Sequence, residues 1–120
     1  MASLREHLAR FLSVPGVRAV VLAGRDGLSI ETAGRGDPRV FEALGALGAS
    51  ALSTTEALGQ ELSAGAPIGV VQEFDAALVS VDPVGDYALI VTLCDNAGSL
   101  GRVRNTLRTV YDDLLRALDA

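Results

Sequence analysis

A chain of 120 residues with 49% apolar side chains corresponds to one domain with enough hydrophobic mass for a core, which excludes an intrinsically disordered protein. A net charge of −5 argues against nucleic acid as a partner, and no apolar run approaches the ~20 residues of a membrane span, so membrane insertion is not expected either. The lone Cys94 cannot form an internal disulfide, and Glu6 and His7 stand where a secretion signal would be apolar; both fit a reducing cytoplasm, and arginine at all ten basic positions fits the codon bias of a GC-rich, prokaryotic genome.

The first predicted element is a helix over Leu4 to Leu12. Ser3 and Glu6 form a capping box, Leu4, Leu8, Phe11 and Leu12 make one apolar stripe, and Pro15-Gly16 ends it. The next stretch, Val17 to Ala23, is almost wholly apolar and leads to Gly24-Arg25-Asp26-Gly27. The spacing matches neither a dinucleotide-binding loop nor a P-loop, and the chain has no lysine. Leu28, Ile30 and Thr32 then alternate with polar residues, so Asp26-Gly27 predicts a β-hairpin and not a phosphate cradle. Asp37-Pro38 opens a long helix that continues to about Leu62. Three strands are expected at about Pro67 to Phe74, Ala76 to Val81 and Tyr87 to Leu93, joined by hairpins. A last helix runs from about Ser99 to Leu118, with Leu100, Val103, Leu107, Val110, Tyr111, Leu114 and Leu118 on its buried face.

The order α-β-β-α-β-β-β-α predicts an α+β fold over residues 1–120: a five-stranded antiparallel sheet sandwiched by helices. The first, fourth and fifth strands are apolar on both faces and should be central. The second and third should lie at the edges. Within Ile68 to Phe74 the only charge is Glu73, so this edge has little to blunt pairing with another chain.

The long second helix has an uneven composition. At 100° per residue Val40, Leu44, Leu47, Ala51, Thr55, Leu58 and Leu62 share a face expected to pack on the sheet. The opposite face holds Glu42, Ala46, Ala49, Ser50, Ser53, Glu56, Ala57 and Gln60, mostly small residues where a solvated helix would show more charge. Gly45 and Gly48 add to this. The composition suits either an alanine-rich surface helix or a contact face for a partner, and the polar-rimmed smoothness favours the contact face.

Several pieces of sequence fall into one pattern: Val14-Pro15-Gly16-Val17, Asp26-Gly27-Leu28, the Ala/Gly/Ser-rich second helix, Val81-Asp82-Pro83-Val84-Gly85-Asp86 and Leu100-Gly101-Arg102-Val103-Arg104. In this order and spacing they resemble the Roadblock/dynein light chain superfamily over nearly the whole chain, and the chain is identified as an MglB-like bacterial member. The resemblance implies a profilin- or longin-like fold. It also implies a homodimer or heterodimer in which two third strands pair into one continuous sheet and two second helices lie side by side. Val70, Val71, Gln72 and Glu73 would make the dimer strand. A small Ras-like GTPase would dock on Ala46, Ala49, Ser50, Ser53, Glu56, Ala57 and Gln60. The protein would activate hydrolysis or exchange on that GTPase, or localise it, by shaping the GTPase's own switch loops. No cofactor and no catalytic residue of its own are implied. The alternative is a structural dimer or small-ligand sensor without a GTPase.

No catalytic constellation emerges from the residues. His7, the only histidine, is expected exposed on the first helix, and Cys94 is expected near the core without an activating base. Asp112 and Asp113 diverge on a helix, and Asp75, Asp82, Asp86 and Asp95 are expected at turns, so no metal site is expected. Arg25, Arg35 and Arg39 are the exposed arginines that could reach a nucleotide's phosphates. The resemblance favours salt bridges or rim contacts for them.

Overall fold

The computed structural model describes residues 2–119. Its elements are α1 (Leu4–Leu12), β1 (Val17–Gly24), β2 (Ser29–Gly34), α2 (Pro38–Glu61), β3 (Val70–Phe74), β4 (Ala77–Val84), β5 (Ala88–Cys94) and α3 (Leu100–Asp119), the last entered through a short 3-10 turn at Ala97–Ser99. The strands form one antiparallel sheet in the order β2-β1-β5-β4-β3, so the three mostly apolar strands are central and β2 and β3 are its edges.

Local chemistry accounts for the boundaries. The Glu6 N–H donates to Ser3 Oγ at 3.1 Å and closes the capping box of α1. Asp37 Oδ1 accepts from the Arg39 N–H at 2.9 Å, with Pro38 in the first turn of α2. Between β1 and β2, Gly27 takes φ +85° and the Leu28 N–H donates to Asp26 Oδ1 at 3.0 Å, which completes the hairpin.

Two apolar layers lie on opposite faces of the sheet. On one, Leu8 and Phe11 of α1 and Val103, Val110 and Leu114 of α3 pack over Val20, Leu22, Leu78 and Ile90. On the other, Ala49 and Leu52 of α2 pack over Val21, Val79, Leu89 and Val91.

Four expectations need correction. β3 begins at Val70, so Pro67 to Gly69 are a connecting segment and not strand. β4 continues past Val81 through Asp82 and Pro83 to Val84. Beyond Val81 it pairs with β5 alone, and a proline is tolerated where one side of the ladder is open. Asp82 is therefore a strand residue, only 4% exposed, and not a turn residue. His7 is 6% exposed because α3 packs across α1.

Candidate partner-binding surface

The way α2 sits on the sheet decides which of its side chains are free. The residues against the sheet are Phe41, Leu44, Gly45, Gly48, Ala49 and Leu52. Of the stripe expected there, Leu44, Ala51 and Thr55 are half-buried, whereas Val40, Leu58 and Leu62 are exposed and Leu47 is 68% exposed. The helix is turned roughly 90° from the expected setting, just under one residue step. Its glycines are the cause. A Cβ on Gly48 would stand 2.6 Å from Val91 Cγ2, and one on Gly45 would stand 2.9 Å from the Gly27 carbonyl oxygen. Bare of side chains, this line of the helix settles directly onto the sheet. The small residues that suggested close approach of a partner serve, at these two positions, close approach of the protein's own strands.

The rotation leaves α2 with two different flanks. Towards β3 it presents Val40 and Leu47, and Leu58 is exposed further along the helix. Away from β3 and outward it presents Glu42, Ala46, Ser50, Ser53, Ala57 and Gln60, all exposed. Arg25 holds the helix in this setting. Its Nη1 donates to Glu56 Oε1 at 2.8 Å, while Nε and Nη2 donate to the carbonyl oxygens of Ala88 and Gly85, each at 3.2 Å. One side chain thus ties both hairpin turns at this end of the sheet to α2. Arg25 is half-buried and engaged, so it is not a free arginine; Arg35 and Arg39 are exposed.

The β3 edge adjoins the leucine flank. Val70, Gln72 and Phe74 lie on the α2 side of the sheet, opposite Val81, Val79 and Ala77 of β4, while Val71 and Glu73 face the other way. Phe74 is 61% exposed and Val71 and Glu73 are exposed as well. An open groove of about 360 Å³ separates Val40 and Leu47 on the helix from Gln72 and Phe74 on the strand, floored by Val79 and Leu93. The β2 edge differs, since α1 packs against it and Arg5 pairs with Glu31 at 3.4 Å.

The residues named in advance therefore divide. Ala46, Ser50, Ser53, Ala57 and Gln60 share an accessible surface. Ala49 is 7% exposed and points into the sheet-side layer, and Glu56 is taken up by Arg25. Val70 to Glu73 occupy the bare edge strand. Val40, Leu47, Leu58 and Phe74 were not named as contact residues. The signal for the first three was the pair Gly45 and Gly48, whose spacing marks the helix line able to come closest to the sheet.

Among the described residues no helix is long and apolar enough to cross a membrane. Cys94 is fully buried, and burial, with the Asp95 charge adding to it, pushes its thiol pKa up.

The Roadblock/LC7 domain family matches the chain over residues 4–94. No curated protein matches it in sequence. Among solved structures, a Roadblock/LC7 domain from Streptomyces avermitilis has a TM-score of 0.89 at 21% identity, covering 99% of this chain and 100% of that one. The gliding protein MglB from Thermus thermophilus has a TM-score of 0.82 at 26% identity, covering 96% of this chain and 88% of that one. Acanthamoeba castellanii profilin II shares the fold more distantly, with a TM-score of 0.61 at 15% identity over 93% of this chain and 96% of that one. With a match running from the first helix through the fifth strand, on an architecture common to these structures, the chain belongs to the Roadblock/LC7 domain family.

Proposed function

We propose that the protein is a non-enzymatic, cytoplasmic homodimeric adaptor that binds a small Ras-like GTPase and regulates or localises it. The observation behind this reading is the continuity of an unprotected strand edge with an apolar helix flank. Val40 and Leu47 of α2 and Phe74 of β3 lie exposed around one groove. Pairing of β3 with its copy would satisfy the edge backbone, and the two α2 flanks would close over the groove. The outward surface of Ala46, Ser50, Ser53, Ala57 and Gln60 would then be doubled across the two-fold axis. The family resemblance supplies the partner class, and the likeness to the gliding protein MglB supports it.

Ala49 is a poor site to test the docking face, because an arginine there would be driven into the sheet. Ser50→Arg and Ala57→Arg place the charge outward. Lysate of the source organism passed over immobilised protein, with and without a non-hydrolysable GTP analogue, should yield a Ras-like GTPase in a nucleotide-dependent manner, and both variants should lose it while remaining dimeric. Recovery of the bait alone in either condition would instead favour a purely structural dimer.

A further inference from the structure

On the face of the sheet opposite α2, a cavity of about 520 Å³ opens between the free end of β4, α3 and the segment leading into β3. Pro83, Leu107 and Tyr111 form its apolar walls with Ile68 at its exposed rim, and Arg104, Arg108 and Asp112 stand around it. Asp82 lines it, almost wholly buried, and its Oδ2 has no hydrogen-bond partner. Burial pushes this carboxyl's pKa up, against the opposing field of Arg104. Gly69 leaves the space beside it open: a Cβ there would stand 2.7 Å from Asp82 Oδ1 and 3.8 Å from Arg104 Nη2. Acceptor and donor thus flank one bare backbone position. Among the described residues, neither Asp82, Arg104 nor Arg108 enters an ion pair.

A buried carboxylate oxygen without a hydrogen-bond partner is destabilising, so Asp82 Oδ2 is an open acceptor that a cationic donor entering the cavity would satisfy. A lone metal ion is a poor complement, because among the described residues no three His, Cys, Asp or Glu side chains come together to ligate one. The matching molecule carries an ammonium for Asp82, a carboxylate for Arg104 and Arg108, and an apolar group for the wall made by Pro83 and Leu107. We propose that this cavity binds a free α-amino acid with an apolar side chain. Its location away from α2 makes the inference independent of the GTPase reading.

Calorimetric titration of the full chain with L-leucine, L-valine and L-phenylalanine tests it. At least one should bind saturably and raise the melting temperature by mass action. For leucine, the amine lacking the carboxylate (3-methylbutylamine) and the acid lacking the ammonium (4-methylpentanoate) should each bind at least about ten-fold more weakly, since each forfeits one charged contact. Asp82→Asn should abolish binding while its unliganded melting temperature stays level or rises. Arg104→Met, at an exposed position, should weaken binding at least about ten-fold and is the second variant if Asp82→Asn fails to fold. The proposal is overturned if none of the three amino acids binds saturably, or if Asp82→Asn or Arg104→Met binds as the parent does. Equal affinity for 3-methylbutylamine would also overturn it. Destabilisation of the unliganded protein by both variants, with no amino-acid binding in the parent, would mean that Asp82 and Arg104 serve only each other.

Discussion

Gly48 and Gly101 are both helical glycines, and the structure assigns them opposite roles. A Cβ at Gly48 meets Val91, a short β-branched side chain that is itself fully buried, whereas one at Gly101 meets nothing within 4 Å. Gly48→Ala gains helix propensity worth ~1 kcal/mol but overpacks a tight layer at ~1–3 kcal/mol, so a net loss of up to about 2 kcal/mol is expected in urea unfolding. Gly101→Ala should gain up to about 1 kcal/mol, and equal effects of the two changes would mean that α2 does not lie this close to the sheet. For Asp82, the folded pKa is raised above the ordinary 3.8, so the folded state holds the proton more tightly than the unfolded chain. Its contribution to stability is therefore fully present below the unfolded value and is lost as the pH rises through the raised folded value. Asp82→Asn, which cannot ionise, should gain on the parent protein between about pH 4 and about pH 7. Urea midpoints of both proteins at the two pH values measure this, and parallel curves would mean that burial does not control the carboxyl. The burial of Cys94 predicts in turn that a thiol reagent labels it only when the chain unfolds.

The helix α2 could be anticipated as an element but not in its rotation. Its cap, its length and its amphipathic period are local properties, written in Asp37-Pro38 and in the spacing of its leucines. A pattern argument then puts the largest apolar side chains inside. That fails here because contact with a flat sheet rewards the narrowest helix line, the one through Gly45 and Gly48, and displaces Leu47 and Leu58 to a flank. The Arg25 network was likewise invisible in sequence, since it joins residues from two hairpins and a helix at separations of 31, 60 and 63 positions. Arg25→Ala removes all three donors and should destabilise by about 1–3 kcal/mol. Glu56→Ala removes one partly exposed ion-pair partner and should cost about 1 kcal/mol or less. A double-mutant cycle read by urea unfolding separates the two, and equal single-mutant losses would mean that the carbonyl contacts of Arg25 contribute nothing.

At the scale of the whole molecule, an exposed strand edge and an exposed apolar flank meet on one side. A monomer would leave Phe74, Leu47 and the β3 backbone in water. Leu47→Glu combined with Phe74→Glu should convert a dimer into a folded monomer, because two carboxylates per chain would be desolvated at the seam. Sedimentation equilibrium at about 100 μM, well above the Kd expected of a functional dimer, reads the outcome. A parent protein that sediments as a monomer there would remove the dimer from the proposed function.

The three central strands, the two edges, the caps and the hairpins were legible in the sequence, because each depends on the residue's own neighbours along the chain or on burial of both faces of a strand. The extension of β4 to Val84, the burial of His7 and Asp82 and the setting of α2 were decided only by the tertiary structure. For His7 and α2 the deciding contact is made by a segment distant in the chain: α3 packs across α1, and the sheet selects the glycine line of α2, whereas β4 extends because its end still pairs with β5 after β3 has stopped. Local periodicity records which residues are apolar; it does not record how closely another backbone will approach.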